Sequence, residues 1–273
     1  MKIIKIFGSL CEQMFQYALY LRLKNQGDNV ALLTPKQWIA SQFALTGYTE
    51  ATANDVAPFR TSLSDRLKGI FGKTADKGNV ITDTFGVFAR DVIDATEGLC
   101  IGSWASPRYF EAANEDVSRA FIVPECQLSD AAKGILAHKG RRETVALHIH
   151  QPTSPSNTCT TDYYNWAIAN IRTYITDAQF LVFTSDAELV KQQLLLPDDS
   201  IFVSTANLSD FDLMQAMLHS NHIICANTLT SWWAAWLNPD PDKIVIVPQR
   251  WSADADNKPT DLIPIYWTAI PVT

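Results

Sequence analysis

The chain has 273 residues, of which 47% are hydrophobic and 19% are charged, enough apolar material for one large core or two domains of about 130 residues each. Lys and Arg total 22 against 29 Asp and Glu, giving a formal charge of -7, which repels the phosphate backbone of nucleic acid. No stretch approaches the roughly 20 apolar residues of a membrane span, and Met1–Phe7 is too short and too charged for a signal peptide. We expect a cytoplasmic globular protein without a nucleic-acid partner and with at most a peripheral membrane association.

The first residues alternate between strand and helix signals. Residues 2–7 form a short apolar run that Gly8 interrupts, and residues 13–25 have apolar side chains at helical spacing until Gly27. Residues 29–33 then resemble a second buried strand. This β-α-β opening predicts a parallel α/β layer. Residues 34–98 give no firm prediction.

The second half has a more regular pattern. Five apolar runs predict strands, and four intervening segments predict helices starting at Asp162, Asp186, Ser209 and Ser231; the runs are residues 144–150, 179–184, 200–204, 222–226 and 243–247. Strands alternating with helices in this way indicate a doubly wound domain. Residues 129–142 are the candidate linker, so we predict one domain over residues 1–140 and another over residues 141–273.

The loop after the fourth of these strands is a candidate anion site. Asn227, Thr228, Thr230 and Ser231 lead from a strand into a helix, and free N–H groups at a helix start can bind phosphate. The competing interpretation is that Thr230 or Ser231 only caps the helix. If the anion site exists, a bulky Leu at position 231 should block it without disturbing the core.

Two further polar segments follow predicted strands. Ser185 and Asp186 stand where a strand passes into a helix, so Asp186 either caps the helix or accepts hydrogen bonds from a ribose or base. His148 and His150 alternate on another strand, and no third ligand suggests a zinc site. A structural role is predicted for His148 and a more open polar role for His150. Five scattered cysteines without a C-x-x-C pair indicate reduced thiols.

The turn at residues 8–13 contains a single glycine and therefore lacks the glycine pattern of a dinucleotide loop. Glu12 lies at a helix start, where the helix dipole stabilises a carboxylate without any function. The aromatic residues in two helical segments are expected to be core anchors rather than sugar platforms; they are Tyr163, Tyr164, Trp166, Trp232, Trp233 and Trp236.

Several segments together resemble the α-1,2-fucosyltransferases of glycosyltransferase family eleven. Residues 8–18 keep the second half of the family's G-G-L-G-N-Q-M-F-Q-Y-A, and residues 102–110 match G-Y-W-Q-S-x-K-Y-F. Residues 183–186 match F-S-D-D, and residues 227–237 match N-S-T-F-S-W-W-x-A-W-L. The closing P-x-x-W corresponds to residues 248–251.

This resemblance implies a GT-B-like α/β fold of two Rossmann-like, doubly wound domains facing a cleft. It implies inverting transfer of L-fucose from GDP-fucose to a galactoside, with no metal and no cofactor besides the donor. It places the donor with the C-terminal half and the acceptor with the N-terminal half. The donor residues are then His148, His150, Ser185, Asp186, Asn227, Thr228, Thr230 and Ser231, and the acceptor side includes Gln13, Trp104 and Tyr109.

The chain departs from the family at two places. The family's H-x-R-R-x-D stands here as His148 to Thr153, without either arginine and without the aspartate. Glu12 replaces the Asn of the first loop, and it is the candidate general base because the family aspartate is missing. Two alternatives to fucosyl transfer follow: a relative that binds glycan or nucleotide without turnover, and an enzyme whose donor lacks the double charge of GDP.

Overall fold

The computed structural model describes residues 1–59, 79–138, 142–150, 159–252 and 260–272. It divides into two compact units, one of Met1–Ile122 with Thr260–Leu262 and the other of Val123–Pro259 with Ile263–Thr273. The predicted boundary between residues 140 and 141 falls outside the described residues. None of the helices within the described ranges is long and apolar enough to cross a membrane.

The first unit is built on a four-stranded sheet in which every pairing is parallel. The strand order is β2-β1-β4-β3. In chain order its elements are β1 (Lys2–Lys5), α1 (Leu10–Asn25), β2 (Val30–Leu33), α2 (Ala40–Phe43), α3 (residues 53–59), β3 (Val80–Thr82), α4 (Asp91–Asp94), β4 (Gly98–Ile101) and α5 (Asn114–Ala120). Two 3-10 turns, Pro107–Tyr109 and Glu111–Ala113, precede α5.

The start of α1 is fixed by a reciprocal cap. Ser9 accepts a hydrogen bond from the backbone N–H of Glu12, while the Glu12 carboxylate accepts one from the backbone N–H of Ser9. This capping box places the helix start at Leu10, three residues before the predicted start. Gly27, at a φ of +90°, follows the end of the helix, as a glycine commonly does.

The second unit is built on a six-stranded parallel sheet with strand order β10-β9-β8-β5-β6-β7. Its elements are α6 (Asp130–His138), β5 (Thr144–Ile149), α7 (Thr161–Tyr174), β6 (Gln179–Thr184), α8 (Ala187–Gln193), β7 (Ile201–Ser204), α9 (Asp210–Leu218), β8 (His222–Ile224), α10 (Leu229–Leu237), β9 (Val245–Pro248) and β10 (Thr268–Ile270). A 3-10 turn, Glu125–Gln127, precedes α6.

The predicted α/β class with two doubly wound, Rossmann-like units is confirmed, because each unit holds a parallel sheet. All five strands predicted in the second half are present. The edge strand β10 was not predicted, and neither were β3 and β4. Residues 129–142, predicted as a linker, contain α6, whose Ala132 and Ile135 are buried in the second unit.

Each sheet has a point where the strand order reverses. In the second unit, β5 pairs with β6 on one side and with β8 on the other. In the first unit, β1 lies between β2 and β4 in the same way. Crevices outside the carboxyl ends of the strands at such points are where open α/β sheets bind ligands.

Candidate functional site

The carboxyl ends of β5 and β8 bring together several of the predicted donor residues. His148 and Ile149 close β5 and are followed by His150, while Asn227 and Thr228 follow β8 and lead into α10. These segments are 80 residues apart in sequence, yet Thr228 Oγ1 lies 3.5 Å from His148 Nδ1. The reversal point of the second sheet therefore collects the polar groups that sequence motifs placed in separate loops.

A buried hydrogen-bonded cluster lies beneath this edge. His148 Nδ1 is 3.0 Å from Ser231 Oγ, which is 2.7 Å from Thr228 Oγ1. Thr228 is the N-cap of α10 and accepts from the backbone N–H of Ser231. The cap is thus Thr228, and the expectation that Thr230 or Ser231 serves as cap is wrong, because α10 starts at Leu229.

Ser231 and His148 are core residues. Ser231 is 0% exposed and also lies within hydrogen-bonding distance of the carbonyl of Ala226. The expectation that a Leu at position 231 leaves the core undisturbed is therefore wrong. Burial, with a smaller effect of His150, lowers the pKa of His148 to about 3. The structure is consistent with the structural role predicted for His148, because the buried neutral imidazole contacts the residues that begin α10.

His150 occupies a more open position above this cluster. Its ring centroid is 5.9 Å from that of His148. Burial lowers its pKa, and the carboxylate of Asp210 acts in the opposite direction. Asp210 also accepts a hydrogen bond from Thr230 Oγ1 at 3.4 Å. His150 is consequently a neutral imidazole beside a carboxylate at neutral pH, which is a poor counter-charge for phosphate.

Asn227 fastens the loop after β8 to the loop after β9. Its Nδ2 donates to the carbonyl of Trp251 at 3.1 Å, and the Trp251 side chain is buried. Arg250 stands directly before that residue, is exposed, and donates from Nε to the carbonyl of Ser252 at 3.0 Å. Among the described residues that follow the strands of this sheet, Arg250 is the only Lys or Arg. Arg250 was not among the predicted donor residues, although it lies inside the P-x-x-W segment.

Ser185 and Asp186 follow β6 at the same edge and are both exposed. Asp186 caps α8, because its Oδ1 accepts from the backbone N–H of Leu189 at 3.0 Å. Its own N–H donates to Thr184 Oγ1. The capping interpretation of Asp186 is thus confirmed by the structure.

In the first unit, the predicted base is part of a helix cap. Oε2 of Glu12 lies 2.8 Å from both the backbone N and the Oγ of Ser9. Gln13 donates from Nε2 to the carbonyl of Gly8 and accepts from the backbone N–H of Ile39 at 3.1 Å. Both side chains therefore hold the loop that follows β1.

Gln16 fills the reversal point of the first sheet. It is fully buried, accepts from the backbone N–H of Phe7, and donates to the carbonyl of Gly102 at 3.0 Å. Since it joins the loops after β1 and β4, this crevice is occupied by the protein itself. The Q-M-F-Q segment thus has a structural explanation that its sequence alone does not provide.

Trp104 and Tyr109 are buried, at 1% and 0% exposure. The Tyr109 hydroxyl accepts from the N–H of Ala89 and donates to the carbonyl of Val87. Trp104 has a φ of +57°, and its backbone N–H donates to the Asp83 carboxylate at 2.7 Å. Because both side chains are buried, neither is accessible to an acceptor sugar in this structure. Both instead order the chain after β4.

Asp83, which was not among the predicted site residues, is the anchor of that segment. Its carboxylate also accepts from the backbone and hydroxyl of Ser103, and burial raises its pKa against the effect of these hydrogen bonds. A Cβ on Gly102 would lie 2.1 Å from Asp83 Oδ1. The glycine is therefore required for the carboxylate to approach the backbone.

Among the described residues, no group of three or more His, Cys, Asp or Glu side chains could hold a metal ion. None of the five cysteines, all of which lie in the described ranges, forms a disulfide. Of the predicted core aromatics, Tyr163, Tyr164, Trp232 and Trp233 are buried, whereas Trp166 is 47% exposed.

Comparison with known proteins finds one family match, in the C-terminal half of the chain, and two relatives. The model of "Glycosyl transferase family 11" matches residues 147–271. An Escherichia coli α-1,2-colitosyltransferase is 27% identical over 62% of this chain and 61% of its own length. The O-antigen biosynthesis glycosyltransferase WbnK of Escherichia coli is 25% identical over 90% of this chain and 93% of its own length. This chain thus matches less than two thirds of the first relative.

Solved glycosyltransferase structures are similar at lower levels. Heptosyltransferase II of Escherichia coli gives a TM-score of 0.45 at 14% identity, covering 100% of this chain and 90% of that one. A family 9 glycosyl transferase of Veillonella parvula gives 0.48 at 10% identity, covering 98% and 85%. The family match contains His148, His150 and the whole loop from Asn227 to Ser231, so residues 147–271 are similar to glycosyl transferase family 11, the family that the sequence motifs resemble.

Proposed function

We propose that this chain is a glycosyltransferase that transfers L-fucose, or a related sugar, from a GDP-linked donor to a galactoside acceptor. The supporting observation is that the family 11 match covers the reversal point of the second sheet, where His148 and the α10 cap lie, and the neighbouring loop after β9, which contains Arg250. The names of the two relatives describe glycosyl transfer, and one of them specifies an α-1,2 linkage. The proposed reaction is α-1,2, inverting and independent of metal.

The leaving diphosphate needs positive charge or N–H donors near the bond that breaks. In the proposed site the first turn of α10 supplies N–H groups, and Arg250 supplies the guanidinium that the missing H-x-R-R-x-D arginines do not. Positions 151–153 of that segment lie outside the described residues. Asn227 holds the Arg250 loop against the start of α10, so its role in this proposal is positioning.

The acceptor hydroxyl must lose a proton as the glycosidic bond forms and the bond from the sugar to the diphosphate breaks. Glu12 is kept as the proposed base. Its carboxylate accepts two hydrogen bonds from Ser9, so the same side chain also closes the capping box of α1.

A binding protein without turnover is the second candidate. The described residues at the carboxyl ends of these strands include Asp186, and Asp210 acts on a neutral His150. This arrangement of charges is less favourable to a diphosphate than an arrangement with two arginines. In that case nucleotide or glycan would bind, and no sugar would be transferred.

Calorimetric binding of GDP, with transfer assays using GDP-L-fucose and other nucleotide sugars, tests the proposal. Arg250→Gln should weaken GDP binding at least tenfold, because a charge-assisted hydrogen bond contributes about 1.5–3 kcal/mol. Arg172→Gln is the matched control, since Arg172 is an exposed arginine in the last turn of α7. Equal affinities of the wild type and Arg250→Gln would contradict the site, and binding without transfer of any donor would favour the second candidate.

A further inference from the structure

An open cavity of about 730 Å³ lies in the first unit. It is formed by Leu10 and Gln13 at the start of α1, and by residues 36–42, which follow β2. Its walls therefore come from the chain just beyond the carboxyl ends of β1 and β2, the edge at which α/β sheets bind ligands. The volume is within the range of small-molecule sites, roughly 300–1,000 Å³.

The cavity has an aromatic wall whose orientation is fixed. Trp38 is half-buried, and its ring centroid lies 6.0 Å from that of Tyr17 and 5.0 Å from that of Tyr48. The contact with Tyr48 is edge-to-face, with an interplanar angle of 85°. Because two neighbouring rings hold the indole, its orientation is set before any ligand arrives.

The backbone around Trp38 is fixed as well. The N–H of Ile39 donates to Gln13 Oε1 at 3.1 Å, and Gln13 Nε2 donates to the carbonyl of Gly8 at 2.9 Å. Ser41 Oγ donates to the carbonyl of Trp38 at 3.3 Å. This chain of contacts ties the wall of the cavity to the loop after β1, so the cavity is built on the rigid sheet and not on a free loop.

The rim of the cavity is polar. Lys36, Gln37, Ser41 and Gln42 line it and are exposed. Primary amides offer two donors and one acceptor in a planar arrangement, which suits neighbouring sugar hydroxyls. One preorganised aromatic face surrounded by amides and a hydroxyl matches a ligand that has an apolar face and a polar perimeter.

We propose that this cavity binds a pyranoside ring of the acceptor. Trp38 stacks against the ring's apolar face, and the amides of Gln37 and Gln42 form hydrogen bonds with its hydroxyls. A β-galactopyranoside fits this chemistry, because the hydrogens on its C3, C4 and C5 share one face of the ring. The assignment rests on the proposed glycosyl transfer and moves the acceptor contacts away from Trp104 and Tyr109, which are buried.

Titration with methyl β-D-galactopyranoside, followed by ligand-detected NMR, tests this site without any donor. Trp38→Ala should weaken binding at least tenfold, and Gln42→Ala should weaken it less, by about threefold, as expected for one neutral hydrogen bond. Trp38→Phe keeps an aromatic face next to Tyr17 and Tyr48 and should retain partial binding, which covers the case in which Trp38→Ala fails to fold. Trp166→Ala is the control, since Trp166 is an exposed tryptophan on α7 of the other unit.

The assignment would be overturned if the wild type and the variants Trp38→Ala, Trp38→Phe and Gln42→Ala bound the pyranoside with equal affinity. It would also be overturned if the wild type did not bind the pyranoside. GDP affinity measured on the same variants separates the two proposals. A Trp38 dependence of pyranoside binding in a protein that does not bind GDP would support this cavity and contradict the proposed donor. GDP binding that depends on Arg250, without pyranoside binding, would support the proposed donor and contradict this cavity.

Discussion

Acidification from about pH 7 to about pH 5 should destabilise this protein through His148 alone by about 2 kcal/mol. The imidazole is completely buried next to the cap of α10, and burial lowers its pKa from the ordinary 6.5 to about 3. In the unfolded chain the same imidazole takes up a proton below 6.5. Each pH unit in the window between these two values therefore favours the unfolded state by about 1.4 kcal/mol.

The sign follows from the lowered pKa. Above 6.5 neither state binds the proton, so the contribution of His148 to stability is fully present; it is lost progressively as the pH falls from 6.5 towards about 3. At about pH 5 roughly one and a half units of this window have been crossed, which gives the 2 kcal/mol. Carboxylates also titrate at low pH, so the effect of His148 must be isolated by substitution.

Urea unfolding of the wild type and of His148→Asn at both pH values provides the measurement. Asn does not titrate, and its amide can occupy the position of Nδ1 next to Ser231, so the variant should lose about 2 kcal/mol less than the wild type on acidification. Ser231→Ala is the matched variant, since it removes the partner at 3.0 Å and leaves the imidazole buried. It should lose about 1 kcal/mol at both pH values and keep the full pH dependence. An equal pH dependence in the wild type and His148→Asn would refute the argument that a buried neutral imidazole controls this window.

Two further predictions concern the first unit. Glu12→Gln should reduce the rate of any transfer about a hundredfold or more with little change in stability, because Gln also closes a capping box, whereas Glu12→Ala should cost about 1 kcal/mol in urea unfolding; full activity of Glu12→Gln would leave Glu12 as a cap only. Gly102→Ala should lower stability by about 1–3 kcal/mol or more, since its Cβ would lie 2.1 Å from Asp83 Oδ1. An unchanged melting temperature in Gly102→Ala would show that the Asp83 contact gives way without cost.

The sequence was sufficient for the elements whose signals are local. Parallel strands buried on both faces form continuous apolar runs, and β5 and β6 were predicted from such runs within one residue of their observed ends. The edge strand β10 has only three residues, two of them exposed, so no periodicity identifies it. The strand β3 likewise has only three residues. The strand β4 was missed although it has four residues, three of them buried.

The sequence also contains the motifs that resemble the family, and these motifs are sufficient to predict the position of the loop after β8. The sequence does not determine which hydroxyl caps α10, because Thr228, Thr230 and Ser231 all have suitable side chains. The cap is Thr228 because the helix starts at Leu229. Arg250 was overlooked because nothing in its neighbours indicates that Trp251 is tied to Asn227, 24 residues earlier.

The tertiary structure alone decided which polar groups are available to a ligand. Gln13 and Trp38 are 25 positions apart in the chain, yet they line one cavity, whereas Trp104 and Tyr109 are buried by packing that no local pattern reports. A motif fixes the type of side chain and its spacing. Its burial and pKa depend on partners that folding brings from distant segments, as Ser231 and His148 show across 83 residues.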